Sequence, residues 1–122
     1  MEPMNVVIAS SDPTAAELAA HLNRHFRSVA VTRSLDEVRA TIPKQRAQLA
    51  VVDLETVPLE KIRDLCREFG HTSVVCTHRL PDEEMWTSAL AAGAIDCCHN
   101  ADVAGILQAV ERSLSSRRSH AA

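Results

Sequence analysis

Leu49, Ala50, Val51 and Val52 form an unbroken apolar run that delivers one carboxylate at its end, Asp53. A strand that is apolar on both faces must be covered on both, which is the condition of a central strand in a parallel sheet. The residue at the end of such a strand emerges at the sheet edge, where open α/β folds keep their sites. Asp53 in that place suits a phosphoryl acceptor, a metal ligand or a helix cap.

The rest of the chain repeats this unit. Met4 to Ala9 reads as a first strand, and Asp12-Pro13 as a helix start. Leu18, Leu22 and Phe26 follow at four-residue spacing on one helical face. Ser28 to Thr32 reads as a second strand, Ser34-Leu35-Asp36-Glu37 as a capping box, and Pro43 as the end of the helix it opens. After the Asp53 strand, Pro58 opens a helix carrying Leu59, Ile62, Leu65, Cys66 and Phe69, with Gly70 as its stop. Ser73 to Thr77 is a fourth strand. Pro81-Asp82-Glu83-Glu84 starts a fourth helix that runs to Gly93, with acids at its positive end. Ala94 to Cys98 is a fifth strand, and Asp102 to about Ser116 a fifth helix. Five strands alternating with five helices predict an α/β fold, a (βα)5 doubly wound five-stranded parallel sheet. The flavodoxin-like order 2-1-3-4-5 suits this length and count. The expected division is one domain over residues 1–116 and a flexible C-terminal tail over 117–122.

Composition narrows the function. Sixteen acidic and 13 basic residues give a net charge of −3, interspersed until Arg117-Arg118. This argues against the clustered basic face that nucleic-acid binding requires. No apolar run approaches the ~20 residues of a membrane span, and the first residues lack the pattern of a secretory signal. Cys66, Cys76, Cys97 and Cys98 lie inside apolar periodic segments, not on disulfide-framework spacings. A reduced, cytoplasmic protein is the expectation. Aromatic residues make up 2% of the chain, so the interior must be built from aliphatic side chains and cysteine. No glycine-rich phosphate loop and no Ser-His or Cys-His pair placed for nucleophilic work is present, which argues against an enzyme.

Val6-Val7-Ile8-Ala9-Ser10-Ser11-Asp12-Pro13, Val51-Val52-Asp53, Val75-Cys76-Thr77 and Ala91-Ala92-Gly93-Ala94-Ile95-Asp96 stand in the order and spacing of four motifs of one family. In these segments the chain resembles the receiver domain of bacterial response regulators, over about residues 4–115. The resemblance implies a flavodoxin-like fold, a phosphoacceptor at Asp53, a switch hydroxyl at Thr77, and a histidine kinase or downstream signalling protein as partner. It also implies two Mg2+-holding carboxylates after the first strand and a lysine after the fifth. Here those positions are Ser10, Ser11 and Asn100, and Asp12 stands where the family often has a third acid. Mg2+ prefers charged oxygen ligands, and phosphoryl transfer depends on neutralised charge. The expectation is an atypical receiver domain acting by protein–protein interaction, with no cofactor and doubtful Mg2+ binding. The alternative is a weak phosphoacceptor at Asp53 in a two-component phosphorelay.

Several side chains carry two readings. Asp53 either accepts a phosphoryl group, caps the following loop, or hydrogen-bonds Thr77 or Asn100. Ser10 and Ser11 read as loop hydroxyls pairing with backbone N–H groups. His78, His99, Cys97 and Cys98 could together form a metal or redox sensor, against surface histidines and buried small hydrophobes. Trp86 reads by default as a core residue, and otherwise as an interface anchor. A monomer or weak homodimer is expected.

Overall fold

The computed structural model describes residues 2–121, and the side chains of residues 3–115. Its five strands are β1 (Glu2–Ala9), β2 (Phe26–Thr32), β3 (Leu49–Asp53), β4 (Ser73–His78) and β5 (Asp96–His99). They alternate with α1 (Ala15–Leu22), α2 (Leu35–Gln45), α3 (Leu59–Glu68), α4 (Glu83–Ala92) and α5 (Val103–Ala121). All strand pairs are parallel, in the order β2-β1-β3-β4-β5. The α/β topology read from the sequence is therefore the one observed.

Every residue of β3 is buried, as its composition demands. Alternate side chains sort into two cores. Val7, Ala9, Ala50, Val52, Val74, Cys76 and Cys97 pack with Val38, Ile62 and Leu65 on the α2/α3/α4 side. Val6, Ile8, Leu49, Val51, Val75 and Cys98 pack with Leu18, Leu22 and Ile106 on the α1/α5 side. Period-two alternation thus feeds both layers from each central strand.

Four boundaries differ from the sequence reading. Phe26 is not on the α1 face: the chain turns after Leu22, with His25 N–H donating to Leu22 O at 2.9 Å, and Phe26 opens β2 fully buried. Pro43 does not end α2 but sits in its last turn. Gly70 is not a left-handed stop, since α3 closes at Phe69 with an extended-side φ of −121°. The helical backbone of α5 continues to Ala121, past Ser116 where the sequence placed the end of the fifth helix.

The end of α2 carries a strained residue. Arg46 adopts φ 52°, ψ 49°; its N–H donates to Pro43 O, and the Ala47 N–H that follows donates to Ile42 O. A glycine takes this left-handed geometry without the Cβ penalty. Arg46→Gly is expected to stabilise the domain by about 0.5–1 kcal/mol, read as a higher urea midpoint at unchanged slope.

Candidate functional site

The carboxyl ends of β1, β3 and β4 bring together the residues singled out at Asp53. Parallel register sets Asp53 beside Thr77, and Thr77 beside Cys98. Ser10 follows β1 directly, its N–H held by Thr32 O at 2.9 Å. Asp53 is only 4% exposed, so each of its oxygens needs a partner. Ser10 Oγ donates to Asp53 Oδ2 at 3.0 Å, and the Glu55 backbone N–H donates to Oδ1 at 3.0 Å. Thr56 Oγ1 makes a longer contact with Oδ2 at 3.5 Å. The backbone of the next turn closes on Asp53 O, which accepts from the N–H groups of Thr56 and Val57.

The hydroxyls also tie two loops together. Thr56 Oγ1 accepts the Ser11 N–H at 2.8 Å and lies 3.1 Å from Ser11 Oγ. Ser10 Oγ accepts the Asp12 N–H at 3.1 Å. Asp12 turns away from Asp53: its Oδ1 accepts both the N–H and the hydroxyl of Thr14, which holds its pKa below the usual carboxylate range. α1 starts after Thr14, so Asp12-Pro13 forms the turn before the helix, not its first residues.

Thr77 and Asn100 do not partner Asp53. Among the described residues no hydrogen bond joins either side chain to its carboxylate; the donors come instead from the β1–α1 and β3–α3 loops. The Thr77 hydroxyl belongs to a buried residue of β4, whose carbonyl accepts the Leu54 N–H. Asn100 is anchored through its N–H to His78 O at 3.1 Å and borders a cleft of about 270 Å³ with Thr14, Glu17, Leu18 and His21.

Two contributors to this edge had no sequence signal strong enough to single them out. Thr56 is one. Arg79 is the other, two residues past Thr77, with Nε on Glu55 Oε1 at 2.8 Å. This hydrogen bond is the main cause that lowers the Glu55 pKa and raises that of Arg79. A hydroxyl three residues after a strand-end aspartate and a cation two residues past the neighbouring strand are the patterns that could have found them.

The histidine and cysteine set does not converge. Cys97 faces the α2/α3/α4 core and Cys98 the α1/α5 core. His78 and His99 are register partners, but each Nδ1 accepts a backbone N–H, from Leu80 and Ala101, both at 3.0 Å. The neutral ring then carries its proton on Nε2, which makes that atom a donor and not a metal ligand. Among the described residues no group of three or more His, Cys, Asp or Glu is placed to hold a metal ion. Burial pushes all four thiols up, Cys98 to about 12, and Cys76, Cys97 and Cys98 are buried. Such thiols hold little thiolate near neutral pH.

Trp86 is not a core residue. It is 45% exposed, and its Nε1 donates to Asp96 Oδ1 at 2.9 Å. The same oxygen takes the Cys97 N–H at 2.7 Å, while Oδ2 takes Arg112 at 2.6 Å. One carboxylate thus ties α4, β5 and α5 together. Leu80, in the loop before α4, is 80% exposed.

No protein-family model matches the chain, and no curated protein is significantly similar to it. Solved structures are. The receiver domain of the TMAO respiratory-system response regulator TorR superposes with a TM-score of 0.79 at 22% identity, over 93% of this chain and 98% of that one. A response regulator from Thermotoga maritima gives 0.77 at 20%, covering 94% and 99%. A response regulator from Burkholderia pseudomallei, solved with a phosphorylated aspartic acid, calcium ion and citrate, gives 0.76 at 21%, covering 99% and 74%. The fold of this chain is the receiver-domain fold of response regulators.

Proposed function

We propose that this chain is an atypical receiver domain that works in signal transduction by binding protein partners, without ordinary Mg2+-dependent phosphorylation of Asp53. The observation that carries this reading is the occupation of both Asp53 oxygens by protein donors, Ser10 Oγ and the Glu55 N–H. Mg2+ demands near-octahedral oxygen ligands and favours carboxylates. Ser10 and Ser11 offer neutral hydroxyls, already used on Asp53 and Thr56, and Asp12 is committed to Thr14. The donor set does not fit the ion.

Charge supply points the same way. A phosphoryl group in transfer carries negative charge that metal ions and cations neutralise. Asn100 has an uncharged amide where the resembling family has a lysine. What remains is Asp53 at the end of its strand with Thr77 beside it, a geometry that favours the second reading, a weak phosphoacceptor in a two-component relay.

The partner in this proposal is a histidine kinase or a downstream signalling protein, reached on the α4–β5–α5 face that carries Trp86. The domain is not an enzyme and does not bind nucleic acid. It acts in the cytoplasm, as a monomer or weak homodimer. No helix among the described residues is long and apolar enough to cross a membrane, which accords with that setting.

Incubation with acetyl phosphate and Mg2+ followed by intact-mass measurement tests the proposal. The expected result is an unmodified chain. A stable adduct of about 80 Da, the mass of one phosphoryl group, that disappears in Asp53→Asn would establish the relay reading instead.

A further inference from the structure

We infer that the outer edge of β2 is a docking site for an extended acidic segment of a partner protein, added to the sheet as a sixth strand. This surface lies at the opposite edge of the sheet from β5 and makes no use of Asp53. Each outermost strand of a sheet is open to pairing with another chain unless something blunts it. Here only β5 is blunted.

In a parallel ladder a residue turns its N–H and C=O to the same side, and successive residues alternate. Thr32 O accepts the Ser10 N–H, so Thr32 faces β1, and with it Ala30 and Ser28, which keep unbroken register with that strand. Val29 and Val31 therefore present their backbone groups outward, and no loop or helix among the described residues bonds to them. At the far edge the Asn100 N–H reaches His78 O, which by the same alternation turns Cys97 outward. There the Cys97 N–H is already taken by Asp96 Oδ1 at 2.7 Å, and β5 is only four residues long. β2 has seven residues and carries neither lysine nor proline.

The side chains beside the free groups define the occupant. Val29 packs on the α1/α5 core, and Val31, 43% exposed, follows on the same face. Arg27 and Arg33, both exposed, flank the two valines, and Arg24 stands in the turn before β2. Among the described residues none of these three arginine side chains has an ion-pair partner. A strand with two apolar residues between two carboxylates completes this edge. Its backbone meets the free N–H and C=O groups, its apolar residues cover the valines, and its charges meet the arginines. A second copy of this chain does not. Laid antiparallel so that Val29 of each copy meets Val31 of the other, it sets Arg27 against Arg33, and like charges directly opposite repel.

The probe is the peptide Glu-Thr-Val-Thr-Val-Thr-Glu, labelled with fluorescein at its N-terminus and amidated at its C-terminus. Its fluorescence anisotropy is followed as the whole chain is added at low salt. The inference expects saturable binding that weakens as salt is raised. Exchanging both glutamates of the peptide for lysine removes the binding. The double variant Arg27→Glu, Arg33→Glu reverses the preference, taking the lysine peptide at least about 10-fold more tightly than the glutamate peptide. Val31→Pro deletes one outward N–H while leaving the β1 ladder intact, and it too loses the glutamate peptide. No binding by the parent overturns the inference, as does unchanged binding of the glutamate peptide in either variant. Circular dichroism shows whether each variant folds, and the charge reversal at two exposed sites decides the matter if the proline variant does not. Sedimentation of the chain alone tests the other occupant: a dimer that Val31→Pro dissociates gives this edge to a second copy and overturns the inference. None of these results depends on whether Asp53 takes up a phosphoryl group.

Discussion

Gly93→Ala lowers stability by about 2–4 kcal/mol, because one methyl group meets two obstacles at once. Gly93 ends α4 at φ 113°, a backbone region that L-residues avoid. Its N–H donates to Leu90 O and the next N–H, of Ala94, donates to Ala89 O, so the conformation cannot relax without giving up that cap. The added Cβ would also stand 3.0 Å from Cys66 Cβ and 3.2 Å from its Sγ, on the facing helix α3. The thiol can rotate away, but Cys66 Cβ is fixed to the α3 backbone. For a domain of this size the loss corresponds to a melting temperature lower by roughly 8–15 °C, followed by circular dichroism at 222 nm. A variant that melts with the parent would mean that α3 and α4 part without cost.

The double variant Ser10→Asp, Ser11→Asp becomes dependent on a divalent ion. Ser10 is buried and donates to Asp53 Oδ2 at 3.0 Å. An aspartate there removes the donor and sets a second carboxylate against the first, at a cost of about 2–4 kcal/mol in metal-free buffer. Like charges so close raise one carboxyl's pKa above its unfolded value. The folded pocket then holds a proton that the unfolded chain releases, so the loss is smallest at low pH and grows as pH rises through the unfolded and then the folded value. Mg2+ reverses the sign of the interaction, and an ion at 100 times its dissociation constant returns about 2.7 kcal/mol. Melting curves in Mg2+ and in EDTA should therefore separate for this variant and coincide for the parent. Coincident curves in both proteins would show that two acids alone do not make an ion site here.

The topology was legible because each layer is written in the residues that build it. Leu49 to Val52 admits no exposed face, and Ser34 and Asp82 announce their helices by capping, with Glu37 N–H on Ser34 Oγ and Met85 N–H on Asp82 Oδ1. Boundaries were less legible where two patterns compete. Phe26 keeps helical spacing from Leu22, yet three residues of turn carry it into β2, because tertiary burial outweighs local periodicity. Pro43 reads as a stop, yet α2 runs two residues past it: the missing N–H costs one bond to the carbonyl four residues back, and the helix closes within that turn.

The candidate site was legible in its members and not in its bonding. Sequence placed Asp53, Ser10 and Thr77 at one edge, which register alone enforces. It could not say that Asp53 would take Ser10 and the Glu55 N–H in preference to Thr77 or Asn100. That choice depends on how the β1–α1 and β3–α3 loops close, and no periodicity encodes it. Trp86 was misplaced for a related reason: an indole at a helical position reads as core until Asp96 is seen to hold its Nε1.

That indole has an optical consequence. The chain has one tryptophan and no tyrosine, and the chromophore already stands half in solvent. Any transition that parts α4 from β5 releases the ring from its carboxylate acceptor. The light this protein emits is thus a gauge of the joint between α4 and β5 at the edge of the molecule.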